Sequence, residues 1–178
     1  VIAAGRTEGE VEEAALLTAV CDGVAALKEG AEGLELSMPP DLAQLLDSLM
    51  TVAVGRAHLL AGLQPQELPE TVFFLLCSHV MRPEASALRA EAWAEGAVLP
   101  RLQKMDGSAS ASVLASLIAA AKNHPMPLAK GALQRLAASP ELSASQCEVL
   151  IRVAKEGLVR AAARGVLLEG VTSAAQAG

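Results

Sequence analysis

The chain has 178 residues, 14 Lys+Arg against 20 Asp+Glu for a net charge of −6, and 52% apolar residues with aromatics at only 2%. So much apolar mass excludes a disordered chain, and an Ala-, Leu- and Val-rich core poor in aromatics favours helices over sandwiches and barrels. The negative balance argues against the basic footprint of a direct nucleic-acid binder.

At this length one domain over 1–178 is the expectation, with 1–9 and 171–178 fraying. The first helix is predicted from Glu10 to Glu29, with Leu17, Val20, Val24 and Leu27 on one stripe. Gly30 to Gly33 and then Pro39-Pro40 break it. A second opens at Asp41 and places Leu42, Leu45, Leu46, Leu49, Met50 and Ala53 on one face. A short segment runs from Arg56 to Leu63. Pro69 introduces a helix from Glu70 to Arg82 that is apolar on nearly all sides, which predicts a central helix covered on several faces.

Pro83-Glu84 turns the chain, and Ser86 is placed to cap a helix through Leu88, Ala92, Trp93 and Leu99. Pro100 is expected to kink or end it. Asp106-Gly107-Ser108 reads as a turn. Val113, Leu114, Leu117, Ile118 and Ala121 form the next stripe, closed by Asn123-His124-Pro125, and Leu128 to Ala138 a further one. After Ser139-Pro140-Glu141, Ser143 with Gln146 predicts a capping box. The buried face of that helix is expected at Cys147, Leu150, Ile151, Ala154 and Leu158, and Gly157 is expected as a left-handed C-cap. Residues 159–170 predict a last helix.

No segment alternates in strand fashion, so the fold class expected is all-α, with short turns setting neighbouring helices antiparallel. Pro83-Glu84-Ala85-Ser86-Ala87 with Glu91 echoes Pro140-Glu141-Leu142-Ser143-Ala144 with Glu148, 57 residues on. An imperfect two-helix repeat suggests a HEAT-like α-solenoid of antiparallel helix pairs rather than a closed bundle.

The longest charge-free run, 107–121, has 15 residues and four serines, short of the roughly 20 a membrane span needs. Val1-Ile2-Ala3-Ala4-Gly5 is not a basic region followed by an apolar core, and the chain then turns acidic, unlike a signal peptide. Cys21, Cys77 and Cys147 are odd in number and widely spaced, which suits a reducing intracellular compartment.

His58, His79 and His124 share no helix face and no metal-ligand spacing, so no metal site is expected. His79 reads as a half-exposed helix residue and His124 as a cap for helix-end carbonyls. All three cysteines fall on apolar stripes as small hydrophobes. No glycine loop for phosphate occurs, and Glu8, Glu10, Glu12 and Glu13 complement a helix dipole. No catalytic residue or cofactor is expected. Trp93, Phe73 and Phe74 read as core. Arg101, Lys104 and Lys122 are expected to form a small basic rim, and Arg152, Lys155, Arg160 and Arg164 to line the polar side of the last helices; most such charges are solvated faces.

The segments Leu68-Pro69-Glu70-Thr71, Leu75-Leu76-Cys77 and Arg82-Pro83-Glu84-Ala85-Ser86 resemble the C-terminal domain family of the Fanconi anaemia group E protein. The similarity continues in Ala90-Glu91-Ala92-Trp93-Ala94, Val98-Leu99-Pro100-Arg101, 112–117, His124-Pro125 and Leu133-Gln134-Arg135-Leu136, and ends in 139–150. It covers about half the chain, from near Leu68 to Leu158, and rests on helix order and turn residues rather than a catalytic signature. The resemblance implies a HEAT-like, non-enzymatic nuclear subunit of the core ubiquitin ligase complex in interstrand cross-link repair. Its implied partners are the group C subunit and the substrate D–I heterodimer. Arg101 matches a basic position of the family's middle helices and is a candidate partner contact with Lys104, Lys122, Arg152 and Lys155. The family's substrate-docking surface lies in later helices and is not carried over. The competing readings are a helical protein holding an apolar ligand near His79 and Cys77, and a HEAT-like scaffold of an unrelated complex.

Overall fold

The computed structural model describes residues 8–30, 37–105, 107, 109–158 and 161–177; the side chains of 161 and 173–177 lie outside that description, as does most of the predicted turn at 106–108. Among the described residues the chain is all-helical, with no strand. Helix α1 spans Glu8–Gly30, with Glu8 and Glu10 in its first turn and Lys28 in its last, charges that suit its dipole. Its stripe buries Val20, Val24 and Leu27. Helix α2, Pro40–Ala53, has proline at its first position, where the missing N–H costs nothing, and buries Leu42, Leu46, Leu49, Met50 and Ala53. Gly55 turns the chain at φ 73°, and two tight 3₁₀ stretches, Ala57–Leu63 and Pro65–Glu67, lead to α3, Glu70–Val80.

The next helix is one rod in three parts: α4 at Ala87–Trp93, a π turn at Ala94–Val98, and α5 at Leu99–Gln103. Ser86 accepts the Arg89 N–H and so caps it as expected. Pro100 does not end the helix. The wider π turn just before it leaves room for a proline ring that a regular turn would clash with. Helix α6 covers Ala111–Asn123. A second three-part rod follows: α7 at Pro125–Leu128, a π turn at Ala129–Leu133, and α8 at Gln134–Ala137. Helices α9, Ala144–Glu156, and α10, Ala161–Ala177, complete the chain.

Packing follows two files of neighbours. In one, α2 touches α3, α3 touches α6 and α6 touches α9; in the other, the 57–63 stretch touches the first rod, that rod the second, and the second α10. Glycines set the second file. A Cβ on Gly96 would strike the Ala57 carbonyl oxygen, one on Gly131 would lie 2.8 Å from the Ala94 Cβ, and one on Gly170 would strike the Gln134 carbonyl oxygen. Each step of the file is therefore a backbone-to-backbone approach that only glycine permits. Gly96 and Gly131 occupy the middle of the two π turns, in Ala-Glu-Gly-Ala-Val and Ala-Lys-Gly-Ala-Leu, 35 residues apart. The core between the files holds Phe73 stacked on Trp93, ring centroids 6.4 Å apart and both fully buried.

Several expectations are corrected. The Pro-Glu echo joins α3 to α4 but α8 to α9, so its copies turn between the files in opposite senses and share turn chemistry rather than a repeat unit. Helix α3 is covered on several faces as expected, by α1, α2, α4 and α6, but Thr71, Phe74 and Ser78 form an outward stripe, and Phe74, expected in the core, is 38% exposed. The capping box of Ser143 and Gln146 is present, but the buried face of α9 is Gln146, Val149, Leu150 and Val153. That rotation leaves Ile151 53% exposed and Cys147 half-buried. Cys21 is likewise half-buried. Gly157 is right-handed, φ −104°; it is needed because its Cβ would come within 2.5 Å of Ala121 Cβ, where α9 meets α6. Residues 171–177 are helical, since α10 lies along α8 and the second π turn; residues 1–7 lie outside the described residues.

Candidate functional site

Arg101, the leading sequence candidate, points its charge inward. From α5 its Nη1 donates to the Pro65 carbonyl at 3.1 Å and to the Leu68 carbonyl, and its guanidinium lies 5.2 Å from the Phe73 ring centroid. The 65–68 turn cannot close its carbonyls in a regular helix, so a cation from the neighbouring rod satisfies them. Burial pushes the guanidinium down from its ordinary value, against the nearby carboxylates of Glu70 and Glu67. Lys104 stands beside it, exposed, with its Nζ 3.6 Å from Glu67.

Lys122 does not join them. Arg101 and Lys104 line a small cleft with Ala109 and Val113 at the start of α6, whereas Lys122 is in the last turn of that helix, about 14 Å further on at helical rise. The expected single rim is therefore two separate ends. Lys155 is exposed in the last turn of α9, the helix whose Gly157 end abuts Ala121 and Ile118 of α6. Arg152 is exposed and paired with Glu156 one turn on, at 3.2 Å. Arg164 donates back to the Leu158 carbonyl at 2.6 Å, bridging the α9–α10 turn; Arg160 lies outside the described residues.

A charged hub, missed in the sequence, joins three helices. Asp47 of α2 receives Arg82 in a two-pronged contact (Nη2 to Oδ2 3.1 Å), Arg89 of α4 at 3.4 Å, and lies 3.3 Å from His79 Nε2. Arg89 also donates to the Asp47 backbone carbonyl at 2.6 Å and to Thr51 Oγ1 at 2.5 Å. Burial works to raise the Asp47 pKa, but the Arg82 hydrogen bond and the charges of Arg82, His79 and Arg89 outweigh it and hold the carboxyl below the usual range. A lone aspartate on an amphipathic helix gives no hint of such partners until distant turns are brought together. The only signal was Arg82 beside the helix-breaking Pro83. Next to the hub, Asn123 Nδ2 donates to the Met81 carbonyl at 2.9 Å and His124 Nε2 lies 2.8 Å from the Arg82 carbonyl. His124, expected to cap helix-end carbonyls, meets instead the Arg82 carbonyl in the turn just past α3.

Gln146 serves twice: its Oε1 accepts the Ser143 N–H for the capping box, and its Nε2 donates to the Leu102 carbonyl at 2.9 Å. Cys77 is fully buried, and that burial pushes its thiol up to about 12, against the favourable influence of Trp93 and Ser116. Such a thiol is a packing group rather than a nucleophile. Its neighbours Val72, Phe73 and Leu76 are fully buried too, so the apolar-ligand reading, which needs an open cavity around His79 and Cys77, meets packed side chains there. Among the described residues no three His, Cys, Asp or Glu gather as a metal group, and no helix is long and apolar enough to cross a membrane.

The surface does carry a groove, of about 320 Å³, between α1, α2 and the 57–63 stretch. Leu16, Leu17, Leu49, Val52 and Leu59 floor it, and Glu10, Glu13 and Arg56 stand at its edge. Arg56 holds Glu13 through both nitrogens, Nη1 to Oε1 at 2.5 Å, and that hydrogen bond keeps the Glu13 carboxyl below its usual range.

No family model, curated protein or solved structure matches this chain.

Proposed function

We propose that this chain is a HEAT-like α-solenoid acting as a non-catalytic protein-binding adaptor of the Fanconi anaemia group E type. In this reading it links the nuclear core ubiquitin ligase complex, through the group C subunit, to the D–I heterodimer in interstrand cross-link repair. The observation that supports the architectural part is the series of close contacts at Gly96, Gly131 and Gly170, each between an element of one file and its predecessor. Repetition of that kind produces long helix faces suited to a partner. The named partners rest on the resemblance of residues 68–158 alone.

Lys104, Lys122, Arg152 and Lys155 are exposed and serve as partner contacts in this reading, Lys104 at the end of the first rod and the other three on α6 and α9 of the neighbouring file. Arg101 supports the fold beside Lys104, on the 65–68 turn. The test is co-expression with the group C subunit and with the D–I heterodimer, followed by size-exclusion chromatography. A stoichiometric complex, weakened by the double change Lys122→Glu and Lys155→Glu, is the expected result. A chain that elutes alone from both mixtures overturns the reading.

A further inference from the structure

We draw no further inference here: the strongest candidate, the apolar groove between α1, α2 and the 57–63 stretch, carries none because Arg56 and Glu13 at its edge are paired with each other and nothing in the structure shows what covers it.

Discussion

Arg101→Leu separates a scaffold residue from a contact residue. Leucine keeps apolar bulk over Phe73 but removes the donor shared by the Pro65 and Leu68 carbonyls. A charge-assisted hydrogen bond contributes about 1.5–3 kcal/mol, and a partly desolvated cation over a ring about 1 kcal/mol. One nitrogen serves both carbonyls and the turn can admit water once released, so the contributions do not add in full. The expected cost is about 3 kcal/mol. For a chain of this size that corresponds to roughly 6–12 °C in Tm.

The assay is urea and thermal unfolding followed by far-ultraviolet circular dichroism, alongside partner capture. Arg101→Lys is expected to recover only part of the loss, because an ammonium can donate to both carbonyls as the one guanidinium nitrogen does but cannot lay a planar group over Phe73. Arg101→Glu is expected to be worse than leucine, since it sets a third carboxylate near Glu67 and Glu70. Lost binding in that variant would therefore report lost folding. An unchanged urea midpoint for Arg101→Leu, with capture abolished, would refute the clamp and return Arg101 to the partner surface.

Two further outcomes follow from the packing. Gly96→Ala is expected to destabilise by about 1–3 kcal/mol through collision with the Ala57 carbonyl, more than cancelling alanine's better helix propensity. Gly165→Ala, with nothing within 4 Å of the added carbon, should instead stabilise by about 0.5–1 kcal/mol; the same sign for both in denaturant melts would break the argument. Asp47→Asn is expected to cost about 1–2 kcal/mol at neutral pH. Because the folded Asp47 pKa is lowered, its contribution is present above the unfolded carboxylate value near about 3.9 and is lost as pH falls through the folded one. The gap between wild type and Asp47→Asn should therefore close in strong acid, and a gap independent of pH would show that the hub is not electrostatic.

What was legible in the sequence was whatever a single helix decides for itself. The stripe of α2 and the Ser86 and Ser143 caps each depend on residues within a turn or two, and each is found where local chemistry puts it. Features set by a second helix were misread. Ile151 and Phe74 looked like core because apolar residues surround them in sequence, yet which side of a helix is covered depends on the neighbour it meets. Gly157 looked like a cap because glycine commonly ends helices; its actual constraint, the Ala121 side chain, is 36 residues away.

The glycine file shows how such a constraint can still be written locally. Ala-Glu-Gly-Ala-Val and Ala-Lys-Gly-Ala-Leu match at an offset of 35, a period suited to helical repeats. The match is invisible to a search for turns because neither copy is at one. A glycine in a helix interior costs about 1 kcal/mol against alanine, so two in the same apolar frame signal that another backbone must come close. Read that way, the pair points to the stacking of the two rods, which the louder Pro-Glu echo does not. The surface offers no equivalent code. Arg101 and Lys104 are three residues apart on one rod, yet one is turned in toward carbonyls and the other outward to solvent and Glu67. The difference was set by where the 65–68 turn lies, and no spacing within the rod could encode it.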